Sequence, residues 1–193
     1  MYLNKMPRYK NATADDVDMV ESYLAWEEAK KAGSEFADCS FKKWCGKDVD
    51  FNSNEVNDLI DYYSQFYTTK YWDWDTEKKY GHARIAEQVG YWRKANQIHR
   101  WFVENIQDGE DECRYYREVT QADLGELLDI CNDILCNPDV APQLLPTQMG
   151  FFFGDTDYDE YYMEDIANTI KIITQVLDTT DFDKEMIYYR SSW

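Results

Sequence analysis

Between Arg117 and Lys171 the chain contains twelve acidic residues and no lysine or arginine. The chain has 193 residues and a formal net charge of −18, so this acidic stretch carries most of the excess negative charge. The same stretch also has apolar residues at helical spacing, such as Leu124, Leu127 and Cys131. It must therefore form amphipathic helices that bury one face and keep their carboxylates in water.

Apolar periodicity and capping signals predict five helices, over about 13–33, 54–66, 91–106, 120–137 and 159–177. Thr13 with Asp16 and Thr120 with Asp123 have the spacing of a capping box. Short apolar or alternating runs predict strands near 81–89, 115–119, 151–153 and 187–189, after an extended lead over 1–12. We expect an α+β protein, mainly helical with a small antiparallel sheet. It divides into an N-terminal region, 1–88, and an acidic C-terminal region, 89–193, or forms one compact domain.

Composition excludes several classes of protein. An acidic chain is a poor direct binder of nucleic acid or of anionic membranes, because both need Lys and Arg. No apolar run is long enough to cross a bilayer, and no signal peptide is evident. Five cysteines without a C-x-x-C pair, and only two histidines, favour a reducing cytoplasm over disulfides or zinc. Without a nucleotide-binding loop or a hydrolase or metalloprotease motif, we expect no cofactor and assign no catalytic residue.

The acidic stretch has two interpretations. As an interaction surface, its carboxylates imitate nucleic-acid phosphates and bind the basic groove of a protein that normally holds DNA or RNA. The side chains expected to meet that partner are Asp129, Asp133, Asp155, Asp157, Asp159, Glu160, Glu164 and Asp165. As a solvated face, the same charges serve only solubility.

The spacing Asp155-x-Asp157-x-Asp159 also resembles the start of a calcium loop. The match then fails, because Glu160 stands where the loop needs glycine and Ile166 stands where the bidentate Glu belongs. Carboxylates at a helix N-terminus, where they offset the positive end of the dipole, explain the run better. We therefore predict no metal site.

A second candidate site centres on the predicted helix 91–106. Trp92, Arg93, Asn96 and His99 lie within two helical turns, and Phe152 belongs to the glycine-bounded run Phe151–Phe153. Together they could form a pocket for a nucleotide-like ligand, which the protein would bind, sequester or act on. The alternative is that His99 closes the core and that the three phenylalanines are core residues.

Two segments resemble a family of proteins encoded by bacteriophages and prophages. They are 89–103, with the run YWRKANQIHRWFV, and 144–154, with LLPTQMGFFFG followed after three residues by YDEYY. The resemblance covers about residues 88–178. It implies a viral accessory protein made in the host bacterial cytoplasm, where such acidic proteins antagonise CRISPR effectors or restriction nucleases. The implied partner is a basic, nucleic-acid-binding host defence protein.

Overall fold

The computed structural model describes residues 1–69, 83–111, 113, 117–150 and 155–191. Within these ranges the chain forms seven α-helices and five strands, in the order β1 Tyr2–Pro7, α1 Ala14–Lys31, α2 Phe41–Cys45, α3 Asn54–Tyr63, β2 Thr68–Thr69, β3 Ala83–Arg84, β4 Glu87–Tyr91, α4 Asn96–Ile106, α5 Gln121–Cys136, α6 Ala141–Leu144, α7 Glu160–Thr179 and β5 Glu185–Arg190. Single 3₁₀ turns lie at Glu35–Ala37, Ser64–Phe66 and Pro138–Val140. The predicted class, α+β and mainly helical with a small antiparallel sheet, is confirmed.

The chain divides into two compact units. The C-terminal unit contains Met1–Lys5 and Gln88–Trp193, and the N-terminal unit contains Met6–Glu87. The predicted regions, 1–88 and 89–193, differ from this division in where they place the first five residues and Gln88. Residues 2–5 belong to β1, which is the central strand of a three-stranded antiparallel sheet with the order β4-β1-β5.

The core of the C-terminal unit lies between this sheet and the apolar faces of α4, α5 and α7. Phe102 of α4 stacks on Tyr189 of β5, with ring centroids 4.1 Å apart and an interplanar angle of 5°. Leu127 of α5 and Ile173 of α7 are fully buried in the same cluster. The helical stripes of the acidic stretch thus face inward, as their spacing predicts.

The N-terminal unit packs α1 beside α2 and α3. Val17 and Val20 of α1 and Tyr63 of α3 are fully buried. The short strands β2 and β3 pair antiparallel, with Thr68 opposite Arg84. The Glu21 carboxylate of α1 accepts hydrogen bonds from the backbone N–H groups of Ile85 and Ala86, at 2.6 and 3.0 Å. This contact joins the segment after β3 to α1.

The predicted helix over 91–106 is wrong in its first turn. Tyr91 ends β4, and the Trp92 N–H continues the strand by donating to the Met1 carbonyl at 3.0 Å. Lys94 then adopts a left-handed φ of 63°, which a helix cannot continue through, and α4 begins only at Asn96. The apolar spacing of Trp92 and Ala95 imitates a helix, although these residues lie in a strand end and a turn.

The other predicted elements have different outcomes. Thr13 and Thr120 form capping boxes at the starts of α1 and α5, as predicted. Of the predicted strand 115–119, residues 115 and 116 lie outside the described residues, and within 117–119 Glu118 forms an isolated bridge to Tyr188. The predicted strand 151–153 also lies outside them.

Candidate functional site

A cleft of about 270 Å³ opens in the C-terminal unit, where the turn before α4 meets the loop and first turns of α7. Its lining residues are Arg93, Lys94, Asn96, Gln97, Asp155, Asp157, Asp159, Tyr161, Tyr162, Glu164 and Asp165. Five carboxylates therefore face two cationic side chains. We call this site the acidic cleft, because its charges favour a cationic group over an anionic one.

The wall formed by the loop before α7 is shaped by its own carboxylates. Asp159 caps α7, and its Oδ1 accepts hydrogen bonds from the N–H groups of Tyr161 and Tyr162 at 3.0 and 3.1 Å. Asp155 Oδ1 accepts from the N–H of Thr156 at 2.7 Å. These two acids have a structural part as well as a charge, since each satisfies backbone donors.

Asn96 anchors the same loop from the opposite wall. Its side chain is 2% exposed, and its Nδ2 donates to the Asp155 carbonyl at 2.8 Å. Its Oδ1 accepts from the Gln148 N–H at 2.8 Å. One buried amide thus holds the segments on both sides of 151–154, which fixes the position of the acidic loop relative to α4.

Asp165 is the most enclosed acid of the cleft. Its Oδ2 accepts a hydrogen bond from Gln97 Nε2 at 3.2 Å, and its side chain is only partly exposed. Burial raises the pKa of Asp165 above its usual range. The neighbouring Glu164 charge also raises this pKa, whereas the hydrogen bond from Gln97 lowers it. An incoming cation would stabilise the charged form of Asp165 and so compensate for the solvation that burial removes.

The eight predicted partner-binding acids lie on α5, in the loop before α7 or at the start of α7. Seven are exposed, namely Asp129, Asp133, Asp155, Asp157, Asp159, Glu160 and Glu164. None of the eight forms an ion pair with any other residue that the structure describes. Asp129, Asp133 and Glu160 are outside the lining of the cleft, so the structure gathers five of the eight at one concave site.

Of the second predicted site, Trp92 and His99 lie in the core. Trp92 is 1% exposed, and its Nε1 donates to Thr169 Oγ1 at 2.9 Å. His99 is 0% exposed, with Nδ1 2.6 Å from the Tyr189 hydroxyl and Nε2 3.2 Å from the Asp111 carboxylate. A ligand entering from solvent cannot reach either ring. The position of His99 therefore agrees with the interpretation that its ring closes the core.

Other members of that second site join the acidic cleft. Arg93 is exposed at its rim and Asn96 lines its wall, while Phe152 lies outside the described residues. The structure adds Lys94, Gln97 and two tyrosines, which the sequence-based predictions did not include. Of these residues, Tyr161 could have been predicted from the sequence, because it directly follows the acidic run. In the structure it is 74% exposed, so it is better placed for contact with a partner than for packing.

Some kinds of site find no support in the described ranges. No group of three or more His, Cys, Asp or Glu side chains is placed there to hold a metal ion. No described helix is both long and apolar enough to cross a membrane.

Comparison with known proteins gives no match: no family model, no curated protein and no solved structure matches this chain. The resemblance to phage-encoded proteins therefore stays a prediction from the two motifs.

Proposed function

We propose that this protein is a phage accessory protein that binds and inhibits a bacterial defence protein through the acidic cleft and the carboxylates around it. The partner is a CRISPR effector or a nuclease whose groove normally holds nucleic acid. The carboxylates take the place of phosphates in that groove. The partner class comes from the motif resemblance, and the binding chemistry comes from the site.

The observation that carries the proposal is a set of carboxylates without ion-pair partners at one concave place. A surface that serves only solubility has no need to gather charge, since gathered like charges repel one another and cost stability. Here five carboxylates line one cleft, and one of them, Asp165, loses part of its solvation there. Basic side chains from a partner would relieve both costs on binding.

The exposed tyrosine gives this surface more than charge. Tyr161 lines the cleft beside the carboxylates, and Tyr158, also exposed, lies three residues before it in the loop that precedes α7. An arginine can place its guanidinium over a tyrosine ring while it pairs with a carboxylate. The cleft therefore suits the arginine-rich groove of a nucleic-acid-binding protein.

The alternative, a pocket for a nucleotide-like ligand, has less support. Two of its residues, Trp92 and His99, are in the core. The cleft that Arg93 and Asn96 do line has an excess of carboxylates, which would repel a phosphate. The cleft therefore favours a cationic partner over a nucleotide.

The test compares two variants with the same change in net charge. The cleft variant combines Asp155→Asn, Asp157→Asn and Glu164→Gln, which keep side-chain size and the local hydrogen bonds. The matched control combines Asp15→Asn, Glu35→Gln and Glu55→Gln, three exposed acids of the N-terminal unit. Each is added to purified CRISPR effectors and restriction nucleases, and displacement of labelled DNA is measured at low and high salt.

We expect the wild-type protein to displace DNA from at least one of these enzymes, and high salt to weaken the displacement. The cleft variant should lose about tenfold or more in apparent affinity, on the order of 0.5 kcal/mol or more for each charge removed. The control variant should lose much less. Equal losses in both variants would show that net charge acts without a site. Displacement that ignores salt and both sets of substitutions would contradict the proposal.

A further inference from the structure

A second cleft lies wholly within the N-terminal unit, and none of its lining residues lines the acidic cleft. Its volume is about 410 Å³, within the range of about 300–1,000 Å³ typical of small-molecule sites. It is lined by Tyr23, Trp26, Ser40, Phe41, Lys42, Asp48, Val49 and Phe51. Four of these eight residues are aromatic, so we call it the aromatic cleft.

The four rings form one wall with several orientations. Tyr23 and Trp26 come from successive turns of α1, Phe41 begins α2, and Phe51 precedes α3. Neighbouring ring centroids are 5.0 to 6.1 Å apart, and the interplanar angles range from 37° to 76°. Tilted and edge-to-face pairs cover less of each ring face than a parallel stack does, and all four rings line the same cleft.

The indole of Trp26 is held in place before any ligand arrives. Its Nε1 donates to the Cys39 carbonyl at 3.1 Å, which fixes the plane of the ring. Tyr23 is also in place, in contact with both Trp26 and Phe51. Burial raises the pKa of Tyr23 above its usual value, and the Glu27 charge raises it further, so the negative potential of Glu27 reaches this wall. Preorganised rings lose little freedom on binding.

Two lysines of the chain itself interact with residues that line this cleft, one with an aromatic ring and one with a carboxylate. The Lys30 ammonium lies over the Trp26 ring, 4.1 Å from its centroid. The Lys42 ammonium contacts the Asp48 carboxylate at 2.5 Å, at the edge of the same space. Both partners of this second pair are largely exposed, with 64% and 78% of their side chains accessible. An exposed ion pair contributes little to stability, so Lys42 can leave Asp48 at small cost.

We propose that the aromatic cleft binds a small organic cation of the quaternary ammonium class. Aromatic faces attract such a cation through their quadrupoles, and the poorly hydrated methyl groups gain apolar contact that a primary ammonium cannot make. Asp48, freed from Lys42, supplies the opposing charge. An uncharged ligand of the same shape would gain only the apolar contact.

The experiment uses choline as the probe, with its uncharged carbon analogue, in which a tert-butyl group replaces trimethylammonium, as the matched control. Binding to the full chain is followed by ligand-observed NMR titration. We expect choline to bind at least about tenfold more tightly than the analogue. Equal affinity for the two compounds, or no binding of choline, would overturn the proposal.

Three substitutions test the residues. Trp26→Ala and Asp48→Asn should each weaken choline binding several-fold, whereas Lys42→Ala should strengthen it by releasing Asp48. Because Trp26→Ala can unsettle the fold, Phe51→Leu serves as a second variant that removes a ring and keeps apolar volume, and thermal unfolding checks each protein. A Lys42→Ala variant that binds choline more weakly than wild type, or a Phe51→Leu variant that is folded and binds unchanged, would overturn the assignment.

Discussion

At Gly90 the sheet of the C-terminal unit approaches α7 so closely that no side chain fits. A Cβ atom there would lie 2.7 Å from Ile172 Cγ2 and 3.3 Å from the Leu3 Cβ. Gly90 is in β4, while Leu3 is in the neighbouring strand β1. The absence of a side chain at this residue therefore sets the spacing between the sheet and the helix that carries the acidic cleft.

We predict that Gly90→Ala lowers the free energy of unfolding by about 1–3 kcal/mol, because the added methyl overpacks the interface with α7. Gly125→Ala is the matched control, since nothing lies within 4 Å of a Cβ at that position of α5. It should stabilise by about 0.5–1 kcal/mol through helix propensity. Urea unfolding of both variants measures the difference. A neutral Gly90→Ala would show that Ile172 moves aside without cost.

His99 makes the stability of the protein depend on pH. Burial lowers its pKa below the usual value, although the Asp111 carboxylate opposes this shift. The unfolded chain then binds a proton more readily than the native state, so the native state loses stability as the pH falls. The loss should begin near the ordinary histidine pKa, at about 6.5, and continue down to the lowered native value.

We therefore predict that the free energy of unfolding falls as the pH drops below about 6.5, and that His99→Gln flattens this part of the curve. The Tyr189 hydroxyl and the Asp111 carboxylate contact the ring, and the N-terminal ammonium also lowers the pKa of His99, so Tyr189→Phe tests the contribution of the first contact. Denaturant unfolding at several pH values is the measurement. An unchanged slope in His99→Gln would assign the pH dependence to other groups.

The positions of single residues were predictable where periodicity decides them. Asp129, Asp133 and Glu164 occupy the polar sides of their helices, and all three are exposed as expected. The complete burial of Trp92 and His99 was not predictable, because a ring nitrogen of each forms a hydrogen bond with a residue that is distant in the sequence. The partners are Thr169, 77 positions away, and Tyr189, 90 positions away. The residues around Trp92 and His99 do not indicate these long-range hydrogen bonds.

At the scale of elements, α5 depends on its first turn. The Thr120 hydroxyl accepts from the Asp123 N–H at 3.1 Å, and the Asp123 carboxylate accepts from the Thr120 N–H at 2.8 Å. Arg117 adds an ion pair to the same carboxylate at 3.0 Å. The start of α5 is thereby tied to the segment that precedes it.

We predict that Thr120→Ala destabilises the protein by about 1 kcal/mol, because the capping oxygen is lost. Thr120→Ser keeps the oxygen and should cost much less. Thermal or urea unfolding distinguishes the two, and equal effects would mean that the methyl group of Thr120, not its hydroxyl, stabilises the helix.

Elements were predictable from sequence wherever a cap and an apolar stripe coincide. The helices α5 and α7 meet this condition, and their predicted bounds differ from the observed ones by two residues or fewer. The start of α4 failed because a left-handed Lys94 leaves no mark in the periodicity. The strand β1 was expected only as an extended lead, since its place in a sheet depends on β4 and β5.

At the scale of the whole molecule, a net charge of −18 makes repulsion a general property of the folded state. We predict that added NaCl raises the free energy of unfolding, because salt screens the repulsion between the carboxylates of the folded protein. The same salt should weaken partner binding, because it screens the attraction between those carboxylates and the basic partner. The comparison runs from about 0.01 M, where the Debye length is about 30 Å, to about 0.1 M, where it is about 10 Å. A stability that falls with salt would show that attractive ion pairs outweigh the repulsion.

The central position of β1 sets the order in which the C-terminal unit can assemble. The Met1 ammonium donates to the Trp92 carbonyl, 91 positions along the chain, and Lys5 pairs with Glu185 of the last strand at 3.3 Å. A ribosome releases the first strand long before either neighbour exists. The first strand can pair with β4 only after Tyr91 is made and with β5 only after Arg190 is made, so this sheet closes late and slowly, as sheets with long-range pairings do.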